Sequence, residues 1–142
     1  MTSFVGQQPD TLQVRSDTDV VMVRRRVRDR ARALELDLVT QTKIVTAASE
    51  LARNTLVYGG GGEVVIDVVT EDAIAARPGL RLAFRDQGPG IADVERALRG
   101  GWSSGRGLGL GLSGSRRLVA VFELSTSPAG TEVVVVMWRR PS

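Results

Sequence analysis

Apolar residues recur at steps of three and four from Val20 to Leu34. Val20, Val23, Val27, Ala31 and Leu34 therefore share one face of a predicted helix. Asp17-Thr18-Asp19 supplies its N-cap. Arg24, Arg25, Arg28 and Arg32 fall mostly on the other side. A second helix is predicted from a cap at Asp37 or Thr40 to about Tyr58, where Gly59-Gly60-Gly61-Gly62 stops it. Its apolar and small residues (Ile44, Val45, Ala47, Ala48, Leu51, Ala52 and Thr55) cover much of its circumference, so it is buried on more than one side.

Elsewhere the period is two. Leu12-Gln13-Val14 reads as a short edge strand, and Val64–Thr70 and Gly79–Asp86 as a hairpin across a turn that holds Pro78. Leu80, Leu82, Phe84 and Asp86 alternate onto one face, so Asp86 turns toward the helix layer if that face is the core. Ile91–Leu98 reads as a short helix. Leu112–Val121 reads as another, with Leu112, Leu118 and Val119 or Phe122 as its buried stripe. Glu123–Ser127 and Thr131–Trp138 complete the strands, joined by Pro128-Ala129-Gly130. Paired strands with helices grouped elsewhere predict an α+β fold: a two-layer sandwich whose mixed, mostly antiparallel sheet is covered on one face by helices. Residues 1–10 read as a flexible tail and 11–142 as one domain, which suits 142 residues.

Composition narrows the chemistry. The chain is 42% hydrophobic and 25% charged, which are globular values. It has no cysteine and no histidine. That excludes disulfides, zinc–thiolate sites, a Ser-His-Asp triad and histidine autophosphorylation within the chain. The net charge is +3, and Lys43 is the only lysine. No basic patch interleaved with aromatics appears, so nucleic acid is not an expected partner. Met1 to Asp10 lacks a basic segment followed by an apolar one, and no apolar run is long enough for a bilayer. The expectation is a soluble, cytoplasmic protein with no membrane partner. The α-helical arginine run is either a solvated face, as charge runs usually are, or a docking patch for an acidic partner.

The candidate chemistry lies in two glycine-rich stretches. Asp86-Gln87-Gly88-Pro89-Gly90-Ile91 ends an apolar strand in a carboxylate and a sharp turn. The run from Gly100 to Gly114 is a ladder of glycines entering a helix, which aims unpaired N–H groups at an anion. Gly109-Leu110-Gly111-Leu112-Ser113-Gly114 satisfies G-x-G-x-x-G, but loop residues precede it where a dinucleotide fold needs a strand. Lys43 stands far from any glycine, which removes a Walker loop, and the protein-kinase motifs are absent. Glu50 and Asn54 are one helical turn apart on the second helix. By itself this pair fits an exposed polar stripe, and Asp86 by itself fits a turn that caps its own backbone.

Taken in order, Ser49-Glu50-Leu51-Ala52-Arg53-Asn54, Asp86-Gln87-Gly88-Pro89-Gly90-Ile91 and Gly105-Arg106-Gly107-Leu108-Gly109-Leu110-Gly111 resemble the N, G1 and G2 boxes of the GHKL (Bergerat-fold) ATPases. Within that superfamily the chain looks most like the anti-sigma regulatory factors and the RsbT-type switch serine kinases of bacterial partner-switching pathways. The resemblance runs from Leu12 to Trp138. It implies that Asn54 ligates a Mg²⁺ bridging the phosphates of ATP, that Glu50 is the general base toward a serine hydroxyl, and that Asp86 accepts from the adenine amino group. It further implies that Gly88 and Gly90 pass beneath the base, that Gly107, Leu108, Gly109, Leu110 and Gly111 meet the phosphates, and that Thr131 lies near the adenine. Gly100 to Arg106 would form a lid, with Arg106 a phosphate contact by charge; Arg53 is either a phosphate contact or a solvent-facing residue. Leu110 and the compact Ser127-Pro128-Ala129-Gly130 loop depart from the usual family pattern.

The function this implies is an ATP- and Mg²⁺-dependent protein serine/threonine kinase. Its substrate would be a serine on a STAS-domain antagonist, and when free it would activate a phosphatase or sigma-pathway regulator. The alternatives are an anti-sigma factor of the same fold that sequesters a sigma factor, and a nucleotide-binding regulator without catalysis.

Overall fold

The computed structural model describes residues 8–71, 77–94, 98 and 111–140. In chain order its elements are β1 (Asp10–Val14), α1 (Asp17–Ala33), α2 (Leu38–Val57), β2 (Gly62–Thr70), β3 (Pro78–Asp86), α3 (Gly111–Leu118), β4 (Val121–Ser127) and β5 (Gly130–Trp138). The five strands form one sheet in the order β1-β2-β3-β5-β4, and every neighbouring pair in it is antiparallel.

Alternation decides which face of the sheet is covered. Val64, Phe84 and Val133 lie opposite one another across β2, β3 and β5, and Ile66, Leu82 and Val135 form the next row. All six are buried in a single core with Val14 and Leu80. Onto this face α1 brings Val20, Val23, Val27 and Ala31, and α2 brings Ile44, Val45, Ala48, Leu51 and Ala52. The expected apolar faces of both helices are thus the faces that are buried. On the opposite face Arg85 sits between Glu63 and Glu132 and bonds Glu132 through Nε, a half-exposed charge row that contributes little to stability.

Several boundaries differ from the expected ones. The cap of α1 is Ser16, whose hydroxyl accepts from Asp19 N–H at 3.2 Å, while the Asp19 carboxylate accepts from Arg15 N–H at 2.9 Å. This reciprocal arrangement places Asp17 and Asp19 inside the first turn, where the helix dipole favours them. Pro78 opens β3 instead of sitting in the turn, a strand position that tolerates a missing N–H. The helix predicted to reach Val121 ends at Leu118, and Phe122 belongs to β4 opposite Val135. Leu118-Val119-Ala120-Val121-Phe122 is apolar throughout, so its periodicity cannot separate helix from strand. Pairing settles it, because Ala120 N–H already donates to Val136 C=O. The short helix expected over 91–98 lies partly outside the described residues.

The N-terminus of α2 carries a titratable cap. The Asp37 carboxylate accepts from Thr40 N–H at 2.7 Å, which holds its pKa below the ordinary 3.8, assisted by Arg140 and Lys43. A carboxylate with a lowered folded-state pKa stabilises the fold fully above its unfolded pKa. That contribution is lost as pH falls through the folded value. Amide exchange at residues 38–41 is therefore expected to quicken, relative to the core, below about pH 4. Asp37→Asn keeps a capping oxygen and is expected to flatten this dependence; an unchanged acid response in that variant would assign it to another group.

Candidate nucleotide site

The site is assembled at the C-terminal end of α2. Glu50 and Asn54 are both half-buried, on a helix whose Ala47, Ala48, Leu51 and Ala52 are buried. Among the described residues no hydrogen bond joins them. Glu50 Oε1 lies 3.7 Å from Arg53 Nη1, an ion pair too long to be a hydrogen bond, and Arg53 is about half-exposed. Both polar ends of the pair therefore remain available to a ligand.

The helix is stopped by its own last carbonyls. Asn54 C=O accepts from Tyr58 N–H at 2.9 Å and Gly59 N–H at 3.2 Å, and Thr55 C=O accepts from Gly61 N–H at 2.9 Å. This winding delivers Gly59 directly onto Asp86. A Cβ at Gly59 would lie 2.4 Å from Asp86 Cγ and 2.6 Å from its Oδ2. Residues 32 positions apart in the chain are thus linked through one glycine: the Asn54 backbone carbonyl holds Gly59, and Gly59 backs the Asp86 carboxylate.

Asp86 ends β3 and at once begins a turn in which its Oδ1 accepts from Gly88 N–H at 2.9 Å. The turn-capping role that Asp-x-Gly suggests is real. It engages one oxygen; among the described residues no donor reaches Oδ2. Gly88 in turn packs on Gly59, whose backbone a Cβ there would meet at 2.9–3.1 Å. Gly90 has φ +83°, and a Cβ on it would approach Ser127 C=O to 2.1 Å, so the chain can cross to β4 only as glycine. Ile91 N–H donates to Thr126 Oγ1 at 3.0 Å, and Thr126 shares a 2.8 Å hydrogen bond with Thr131. Thr131 stands opposite Asp86 in the β3–β5 register.

These contacts place Glu50, Asn54, Asp86, Gly88, Gly90 and Thr131 on neighbouring structure. Gly111 opens α3 with φ +50°, and α3 packs on α2. The expected lid from Gly100 and the residues Arg106, Gly107, Leu108, Gly109 and Leu110 lie outside the described residues. The donor set suits a nucleotide. A carboxylate oxygen with no donor among the described residues, backed by glycine where a Cβ would intrude, fits a flat base that carries an amino group. A carboxamide oxygen one helical turn from a carboxylate suits a hard cation among phosphates.

Three features escaped the sequence reading. Gly59 reads only as part of a helix stop, and nothing in a tetraglycine marks which member touches a carboxylate. Thr126 is legible only as one polar position of an alternating strand. The third is a groove of about 310 Å³ between α1 and α2, lined by Arg24, Arg28 and Arg32 on one side and by Thr42, Thr46, Ser49 and Glu50 on the other.

Residues 39–141 match the family model described as histidine kinase-, DNA gyrase B-, and HSP90-like ATPase. The chain is 38% identical over 130 residues to the serine/threonine-protein kinase RsbT of Bacillus subtilis (strain 168), covering 91% of this chain and 96% of that one. Among solved structures it is similar to the RsbU and RsbW domains of Rv1364c from Mycobacterium tuberculosis, with TM-score 0.64 and 19% identity over 96% of this chain and 34% of that one. It is also similar to the mycobacterial sensor histidine kinase MprB, with TM-score 0.55 and 18% identity over 95% of this chain and all of that one. At such identities the two structures bear on the fold alone.

The geometry makes Asp86→Asn an informative substitution, because asparagine keeps the acceptor for Gly88 N–H while replacing the second acceptor with a donor. Its thermal stability is expected to stay near wild type while ATP affinity falls by about 10- to 100-fold, the loss of one hydrogen bond to a charged group. Calorimetric titration with ATP checks this. Affinity equal to wild type would remove Asp86 from base recognition.

Proposed function

The chain belongs to the histidine kinase-, DNA gyrase B- and HSP90-like ATPases, and on that footing we propose that it is an ATP-dependent protein serine/threonine kinase. The observation that carries this reading is the convergence of the Glu50/Asn54 helix end with the Asp86 turn through Gly59. The kinase named RsbT, similar over nearly its whole length, supports the choice of protein phosphorylation over other uses of ATP.

In this reading Asp86 accepts from the adenine amino group, its carboxylate backed by Gly59 and held by Gly88 N–H. Asn54 offers its carboxamide oxygen to Mg²⁺, which would neutralise charge on the phosphates when bound. Backbone N–H groups at the start of α3, with the glycines before it, cradle the phosphates at the positive end of the helix. Glu50 stands one turn before Asn54 and takes the proton of the acceptor hydroxyl as its oxygen bonds to the γ-phosphorus. The β–γ bridging oxygen departs with ADP. Its carboxylate is held by a single long contact to Arg53, so little must be broken for it to accept that proton. The acceptor would be a serine of a STAS-domain antagonist, and the freed kinase would engage a phosphatase or sigma-pathway regulator.

The test uses radiolabelled ATP, Mg²⁺ and a STAS-domain protein. Phosphoserine is expected with wild type. Glu50→Gln is expected to lower transfer by about 10²- to 10⁴-fold with ATP affinity little changed. Undiminished transfer by Glu50→Gln would overturn its role as base, and no transfer by wild type would overturn the kinase reading.

A further inference from the structure

Five of the six arginines of α1 are divided between two tasks. Arg26 and Arg30 both reach the Asp10 carboxylate and tie α1 to β1. Arg24, Arg28 and Arg32 do not; among the described residues none of the three has a carboxylate within ion-pair distance. Asp29, the acid beside them on the same helix, pairs with none of them. Glu35 and Asp37, at the following bend, are engaged by Arg139 and Arg140. Spacings of four residues place 24, 28 and 32 in one row, and that row lines the groove whose other wall includes Thr46, Ser49 and Glu50.

We propose that this groove binds an acidic segment of the protein substrate, and that its arginine row selects acceptor sites with carboxylates on one flank. The proposal rests on the reading of Glu50 as the base, because Glu50 closes the end of the same groove. α1 and α2 are consecutive helices joined by a short bend, so they run antiparallel: Arg32 faces the start of α2, and Arg24 lies nearest Ser49 and Glu50. From Leu38 to Glu50 the helix rises roughly 18 Å. An extended peptide covers that distance in about five or six residues. A hydroxyl presented to Glu50 therefore leaves up to about five flanking residues along the arginine row. Three positive side chains without partners among the described residues give that flank a preference for Asp or Glu, and the polar Thr46 and Ser49 opposite them offer hydroxyls to its backbone. Guanidinium groups hold carboxylates in a bidentate fork, which adds register as well as charge.

The test uses two fluorescein-labelled peptides, each with one serine and a five-residue flank, glutamate-rich in one and glutamine-rich in the other. Anisotropy is measured with Glu50→Gln protein at 150 mM salt, so that binding is read apart from phosphate transfer. The acidic peptide is expected to bind about tenfold tighter, as three partly exposed ion pairs allow. Arg28→Glu is expected to erase most of that difference. Arg25→Glu makes the same change of charge on an exposed position outside the groove and is expected to leave the preference in place. Arg28→Gln provides the milder version should Arg28→Glu fail to fold. Equal binding of the two peptides, including none of either at millimolar concentration, would overturn the proposal, as would equal loss in the position 25 and position 28 variants. Wild type with labelled ATP separates the two readings: a preference for the acidic peptide without phosphate transfer retains the groove and removes the kinase, whereas transfer indifferent to the flank does the reverse.

Discussion

The close approach of Gly59 to the Asp86 carboxyl group is the constraint on which the site depends. A helix end and a strand end must meet at less than the distance a Cβ allows, and two carbonyls at the end of α2 wind the chain so that they do. The sheet supplies the other half of the constraint. Asp86 is the last residue of a central strand flanked by β2 and β5, so its backbone position is fixed by Gly62 on one side and Thr131 on the other. The carboxylate is oriented by packing and by one turn hydrogen bond, so its position is set by the fold itself.

The helices divide their surfaces in a similar way. The inward stripe of α1 is wholly apolar, and five of its six arginines split into a pair held by Asp10 and a row facing the groove. α2 is buried over most of its circumference, yet Glu50 and Asn54 open to the two places where a ligand can reach them. Both helices thus belong to the core and to the site, and their packing fixes how far the arginine row stands from the carboxylate.

Much of this was legible in the sequence because period and punctuation agreed. The five apolar positions of α1, the cap at Asp37, the glycine stop after Tyr58 and the alternation of Leu80, Leu82 and Phe84 each point to one answer, and each is found. Where local signals were degenerate they failed: the all-apolar run from Leu118 to Phe122 contains no period, and only its pairing with β5 divides it. For the site, the order of Glu50, Asn54 and Asp86, and the expectation that they converge, were readable through resemblance, whereas the contact of Gly59 with Asp86 was not. Contact between Gly59 and Asp86, the bond that Ile91 N–H donates to Thr126 Oγ1 and the groove are products of tertiary closure, and no short spacing encodes them.

The wall around Asp86 is main chain rather than side chain, with Gly59, Gly88 and Gly130 each close enough to a neighbour's backbone or carboxyl to exclude a methyl group. Most sequence drift alters side chains and leaves peptide units alone. A recess of this kind can therefore persist while the surrounding surface diverges toward new protein partners. Its vulnerability is concentrated at a few positions where even alanine is too large, so its mutational tolerance is close to all-or-none.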